Sequence, residues 1–121
     1  MIQLTKAEEE VMQVLWDLKH AFVRDILEKY PEPRPAYTTL STIVRILEEK
    51  GVIGHETMGR AHRYHPLITR EDYRKQSLKR LANNYFDGSL KEIASCWAQD
   101  EDLSTEDLQA ILDIIHKKKK S

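Results

Sequence analysis

Cysteine is nearly absent from this chain: Cys96 is the one thiol in 121 residues. A single thiol excludes an internal disulfide and any multi-cysteine metal site within one chain. A solitary cysteine is more often a small packing residue than a reactive one. Long apolar runs are missing too. No stretch approaches the ~18 apolar residues a membrane span needs, and Met1-Ile2-Gln3-Leu4 does not open a signal peptide. No membrane insertion is expected, and a cytoplasmic location is the default. An excess of either charge is also lacking, since 19 Lys and Arg face 20 Asp and Glu for a net −1. The strongly basic balance common in nucleic-acid-binding domains is therefore not there. There is no nucleophile–base pairing, glycine-rich phosphate loop or suggestively spaced carboxylate pair. Neither an enzymatic role nor a cofactor is expected.

Glycine and proline are scarce, four of each, and so they punctuate the chain clearly. Thr5-Lys6-Ala7-Glu8 has the form of a helix-starting capping box. Ala7, Val11, Val14, Leu15 and Leu18 then make an apolar stripe to about Lys19. A short second helix is predicted from Phe22 to Tyr30, with Val23, Ile26, Leu27 and Tyr30 inward. Pro31, Pro33 and Pro35 restrict the next loop to extended shapes. A third helix starts near Ala36 or Tyr37 and stops at Gly51. Val52–Thr57 and Ala61–His65 read as two strands around a Gly59-containing turn, with Ile53 and Tyr64 inward and Pro66 ending the second strand.

The third helix is the most informative element. Leu40, Ile43, Val44 and Leu47 fall at i, i+3, i+4 and i+7, a core-facing stripe. Thr38, Ser41, Thr42 and Arg45 repeat that spacing on the far side, with no acid until Glu48. A merely solvated helix usually carries Glu and Lys there. Short hydroxyl groups on a rigid helix suit the donor and acceptor edges of a DNA major groove. Three helices and a hairpin in this order are those of a winged helix-turn-helix, whose wing tip, Gly59-Arg60, would set a cation beside a phosphate or in the minor groove.

From Thr69 onward three more helical segments follow, opened by Thr69-Arg70-Glu71-Asp72, Ser89-Leu90-Lys91-Glu92 and Ser104-Thr105-Glu106-Asp107. Their apolar faces include Leu78, Leu81, Ala82 and Tyr85, then Ile93 and Trp97, then Leu108, Ile111, Leu112 and Ile115. About fifty residues are too few to bury such faces alone. A second copy of the chain is the simplest cover, and two heads could engage half-sites about one helical turn (~34–36 Å) apart. The expected fold class is mainly α: a winged helix-turn-helix domain, residues 1–67, followed by a three-helix dimerisation domain, residues 68–121.

The sequence resembles the penicillinase-repressor family, the BlaI/MecI/CopY group of bacterial transcriptional regulators. The matching residues are Leu4-Thr5-Lys6-Ala7-Glu8, Val11-Met12, Leu15-Trp16, Ala36-Tyr37-Thr38-Thr39, Leu47, Lys50-Gly51, Gly59-Arg60-Ala61, Tyr64, Pro66, Phe86-Asp87-Gly88-Ser89 and Asp100-Glu101-Asp102-Leu103-Ser104, with the helix to Ile115. The resemblance implies a homodimeric repressor on a pseudo-palindromic double-stranded operator upstream of antibiotic-resistance or stress genes. It implies that Thr38, Thr39, Ser41 and Thr42 meet base edges while Arg45, Lys50 and Arg60 meet phosphates. In β-lactam-responsive members a membrane-bound sensor metalloprotease relieves repression by cutting an Asn-Phe step before the acidic segment. This chain has Cys96-Trp97 there, which departs from that step. The copper-responsive members carry a terminal Cys-x-Cys motif, where lysines stand here.

Two other readings stay open at this level. A winged helix can serve as a protein-docking module, which suits the near-neutral charge. His55, His62 and His65 cluster on the predicted strands and could make a metal-responsive regulator.

Overall fold

The computed structural model describes residues 3–99 and 104–119, with the side chains of Ile115 and Lys119 left aside. The elements are α1 (Lys6–Leu18), α2 (Val23–Lys29), α3 (Tyr37–Glu49), β1 (Ile53–Met58), β2 (Ala61–Pro66), α4 (Arg70–Tyr85), α5 (Leu90–Ala98) and α6 (Thr105–Lys119). Among the described residues no helix is long and apolar enough to cross a membrane. The chain divides into two compact units, residues 1–77 and 78–121.

In the first unit, α1 opens on the capping box read from the sequence. The Thr5 amide donates to Glu8 Oε1 (2.7 Å) and the Glu8 amide to Thr5 Oγ1 (3.2 Å). Its buried face differs from the expected one. Val11, Met12, Val14 and Leu15 are buried, whereas Ala7 is exposed and Glu8 takes the inward position. A carboxylate is tolerated there because Lys50 Nζ, at the end of α3, sits 2.7 Å from Glu8 Oε1. Burial pushes the Glu8 carboxyl up, but the Lys50 ammonium and the Thr5 amide and hydroxyl pull it further down, leaving it below its ordinary value.

That balance fixes a pH dependence. A carboxyl depressed in the folded state stabilises the fold above its unfolded value, and the contribution disappears as pH falls through the folded value. Lys50→Ala should therefore cost about 1–2 kcal/mol at neutral pH, because it strands a buried carboxylate. The loss should shrink in acid, and denaturant melts at pH 7 and pH 3 check both halves.

Helices α2 and α3 close the core. Ile26, Leu40, Val44 and Leu47 are wholly buried, and Ile43 packs half-buried beside them. The Tyr30 hydroxyl donates to Glu10 Oε2 (2.6 Å), tying α2 to α1. Burial first, and the Glu10 carboxylate second, push the Tyr30 phenol up to about 12. Gly51 ends α3 as expected, with φ +80° and its amide on the Glu48 carbonyl (3.0 Å), a left-handed conformation that favours glycine.

The antiparallel hairpin pairs Ile53 with Pro66, His55 with Tyr64 and Thr57 with His62. Ile53 is buried and Tyr64 half-buried. Ala21, between α1 and α2, adds a one-residue third strand through reciprocal bonds with Tyr64 (2.9 and 2.8 Å).

The division at 77/78 lies further along than the expected 67/68 boundary. The reason is side-chain anchoring by α1. Trp16 Nε1 donates to the Ile68 carbonyl (2.8 Å), and its ring lies 5.8 Å from Tyr73 and 5.6 Å from the Arg70 guanidinium. Arg70 also pairs with Asp17 at 2.7 Å. The first turns of α4 thus belong to the first unit.

In the second unit Ser89 and Ser104 accept from the amides of Glu92 (3.2 Å) and Asp107 (3.1 Å), starting α5 and α6. Ala82 and Ile93 are buried within the chain, so Ile93, expected on a dimer face, is already covered. Leu108 is half-buried. Leu78, Leu81, Tyr85, Trp97, Ile111 and Leu112 are exposed, as are Leu90 and Ile114. Ile115 lies outside the described side chains. Cys96, expected to pack inside, is exposed beside Trp97.

Candidate nucleic-acid interface

The apolar stripe of α3 seats the helix on the core and turns its opposite side to solvent. Thr38, Thr39, Thr42 and Arg45 are exposed there, and Ser41 is half-buried. The Thr42 hydroxyl donates to the Thr38 carbonyl (3.0 Å), which leaves its oxygen lone pairs and its methyl facing outward. Ala36, the residue before α3, gives no side-chain cap to the first turn. Among the described residues the amides of that first turn have no side-chain cap, and they are available as donors.

Beside this face lies a cleft of about 700 Å³ between the start of α2, α3 and the wing. Arg24 of α2, Arg45 of α3 and Arg60 of the wing tip all line it. Among the described residues none of these arginines is in an ion pair. The two acids of the cleft are committed locally. Asp25 Oδ2 accepts from the Phe22 amide (3.0 Å), and Glu48 Oε2 bonds His55 Nδ1. Three arginines against two carboxylates leave this cleft a small positive excess, although the chain as a whole is near neutral. Burial raises the Tyr64 phenol, the Glu48 carboxylate and Tyr37 add to that, and Arg45 opposes them.

Of the residues expected to form the site, Thr38, Thr39, Ser41, Thr42 and Arg45 lie together on α3, and Arg60 lines the same cleft as Arg45. Lys50 does not join them. Its ammonium is held by Glu8 and by the Gln3 carbonyl (3.2 Å), at the α1–α3 junction. Arg63 is on the other face of the wing, paired with Glu56 at 2.9 Å.

The histidine trio does not converge. His55 and His62 share one face of the hairpin, but the register sends His65, opposite Gly54, to the other. Among the described residues no His, Cys, Asp and Glu group is arranged to hold a metal ion.

Arg24 escaped the sequence reading. It occupies the first turn of α2, the positive end of the helix dipole, where a cation is disfavoured without an external partner. That misplaced charge was the available signal.

A three-helix core with a hairpin wing and an outward polar helix defines the winged helix-turn-helix class. The comparisons narrow this further. The sequence model of the penicillinase repressor family matches residues 4–117, and the chain belongs to that family. The family is one of repressors, not of enzymes. The methicillin resistance regulatory protein MecI of Mammaliicoccus sciuri is 26% identical over 117 residues, covering 96% of this chain and 95% of its own. The penicillinase repressor of Bacillus licheniformis is 26% identical over 121 residues, covering 98% of this chain and 94% of its own. The solution structure of the Bacillus licheniformis BlaI monomeric form in complex with the blaP half-operator matches with a TM-score of 0.51 and 29% identity, covering 60% of this chain and 89% of that one.

Proposed function

We propose that this protein is a homodimeric transcriptional repressor that occupies a pseudo-palindromic operator in double-stranded DNA. The observation that carries the reading is the union of a hydroxyl-lined helix with a cleft of unpaired arginines. The BlaI structure bound to its half-operator supports it, since it resembles 60% of this chain in sequence and fold. Helix α3 lies in the major groove, where Thr38, Thr39, Ser41 and Thr42 meet base edges. Arg24, Arg45 and Arg60, with the open amides of α3, hold the backbone and fix the register. The exposed apolar residues of the second unit pair two chains, so that two heads read two half-sites.

Release of the operator follows from disruption of the second unit. Cleavage by a membrane-bound sensor metalloprotease, which the sequence resemblance implies, is one route to this, and another signal acting on the same unit is the alternative. Cys96-Trp97 lies exposed on α5 where the Asn-Phe step would stand, and the acidic segment after it, residues 100–103, lies outside the described residues.

Titration of genomic fragments in gel shifts at several salt concentrations tests the DNA reading. Affinity should fall steeply with salt, and one class of fragment should bind well above the rest. A flat, salt-insensitive response on every fragment would favour a protein-docking module instead. Arg60→Ala should weaken binding to all duplexes alike and lower the magnitude of the salt slope by about one, because one phosphate contact is lost.

A further inference from the structure

The wing and the recognition helix are joined by side chains that the sequence reading left out or assigned elsewhere. Glu48 lies on α3, one turn beyond Arg45, and its Oε2 bonds His55 Nδ1 on β1. The His55 ring stacks on His62 of β2, with centroids 4.0 Å apart and planes 6° from parallel. Tyr64 meets both rings edge-on, at 5.7 and 6.2 Å. The register explains the stack: His55 opposes Tyr64 and Thr57 opposes His62, so the imidazoles are diagonal neighbours on one face. His62 also lines the cleft, two residues from the tip cation Arg60.

A two-stranded hairpin has little stability of its own and needs packing to hold one orientation. Ile53 and Val52 anchor the base of this one in the core, while the outer half, from Glu56 to Ala61, is exposed. We propose that Glu48, His55 and His62 form a positioning relay that sets the wing tip relative to α3, so that Arg60 meets the DNA backbone at a fixed offset from the bases α3 reads. This inference rests on the DNA-binding reading. The relay also accounts for a carboxylate in a cleft that faces phosphates. Glu48 would repel them, and its place is intelligible if its work is to hold His55.

Electrostatics alone and positioning predict opposite signs. Deleting a carboxylate from a DNA-facing cleft should tighten binding by simple charge, whereas losing the relay should weaken it. Glu48→Ala in the full-length protein is expected to lower affinity for the selected operator about three- to fivefold, the scale of an exposed charge-assisted link. Glu48→Gln keeps a carbonyl acceptor for His55 and should bind at least as well as wild type. The cost of Arg60→Ala should shrink in the Glu48→Ala background, since a misplaced wing has less contact to lose. Alanine at the C-terminal end of α3 removes an acid from an unfavourable place on the helix dipole, so thermal melting should remain close to wild type.

A measurement without DNA completes the test. Amide ¹⁵N relaxation should show greater mobility at Gly59 and Arg60 in Glu48→Ala and wild-type order in Glu48→Gln. Unchanged tip mobility, tighter operator binding by Glu48→Ala, or an undiminished Arg60→Ala cost would each overturn the relay. Failure of wild type to select any operator would overturn the functional reading instead, and relaxation would still judge the relay.

Discussion

If two chains pair through the second unit as proposed, replacing Ile111 and Leu112 with aspartate should leave a monomer and lower operator affinity by about a hundredfold or more. Both side chains are exposed on α6, at 39% and 49%, so the change leaves the core of the chain intact. Desolvating two carboxylates against an apolar partner face is strongly unfavourable, which is why the effect should fall on assembly. The loss at the operator follows from geometry. Two linked heads gain ~10²–10⁴ in avidity over one, and that factor vanishes when they separate. Sedimentation equilibrium reads the first outcome and gel shifts the second. A half-site fragment supplies the control, because a monomer with a sound head should bind it as wild-type heads do. A variant that stays dimeric at micromolar concentration would place the interface elsewhere in the second unit. Full operator affinity in a proven monomer would remove the paired-half-site argument.

The features legible from the sequence are those whose physics is local. The Thr5–Glu8 box, the Leu40/Val44/Leu47 stripe and the Gly51 stop each depend on residues within one or two turns, and each stands where the pattern put it. The hairpin was readable for the same reason, because Gly59 supplies the positive φ its turn requires. Long-range pairings were not legible. Nothing near Lys50 in the sequence announces that its ammonium will be taken by a carboxylate 42 positions earlier. Nor does any local signal tell that Ala21 will pair with Tyr64, or that Trp16 will hold Ile68 and Arg70 and so draw the start of α4 into the first unit. The three histidines show how register decides chemistry. Proximity in sequence suggested a ligand set, and strand alternation split it. Apolar residues in α5 and α6 were recognisable as such, but which are covered within one chain, as Ile93 is, depends on packing that periodicity does not resolve.

The second large effect should come from α3 itself. Thr39→Ala together with Thr42→Ala should reduce discrimination between operator and random DNA by about 2–4 kcal/mol, at ~1–2 kcal/mol for each lost base contact and with rough additivity. The two positions are exposed on the side of α3 away from Leu40, Val44 and Leu47, so fold stability should change little. Geometry also separates what Thr42 offers. Its hydroxyl proton is occupied by the Thr38 carbonyl, so it can present only an acceptor and a methyl group to a base pair. The matching partners are the exocyclic amine of adenine or cytosine, or the thymine methyl. Thr42→Ser keeps the acceptor and deletes the methyl, and Thr42→Val keeps the methyls and deletes the acceptor. If serine retains discrimination and valine loses it, the contact is a hydrogen bond; the reverse pattern assigns it to a thymine methyl. Competition titrations against operator and shuffled duplexes at one fixed salt concentration give the comparison. An equal loss on both duplexes would show that these hydroxyls position the helix without reading sequence.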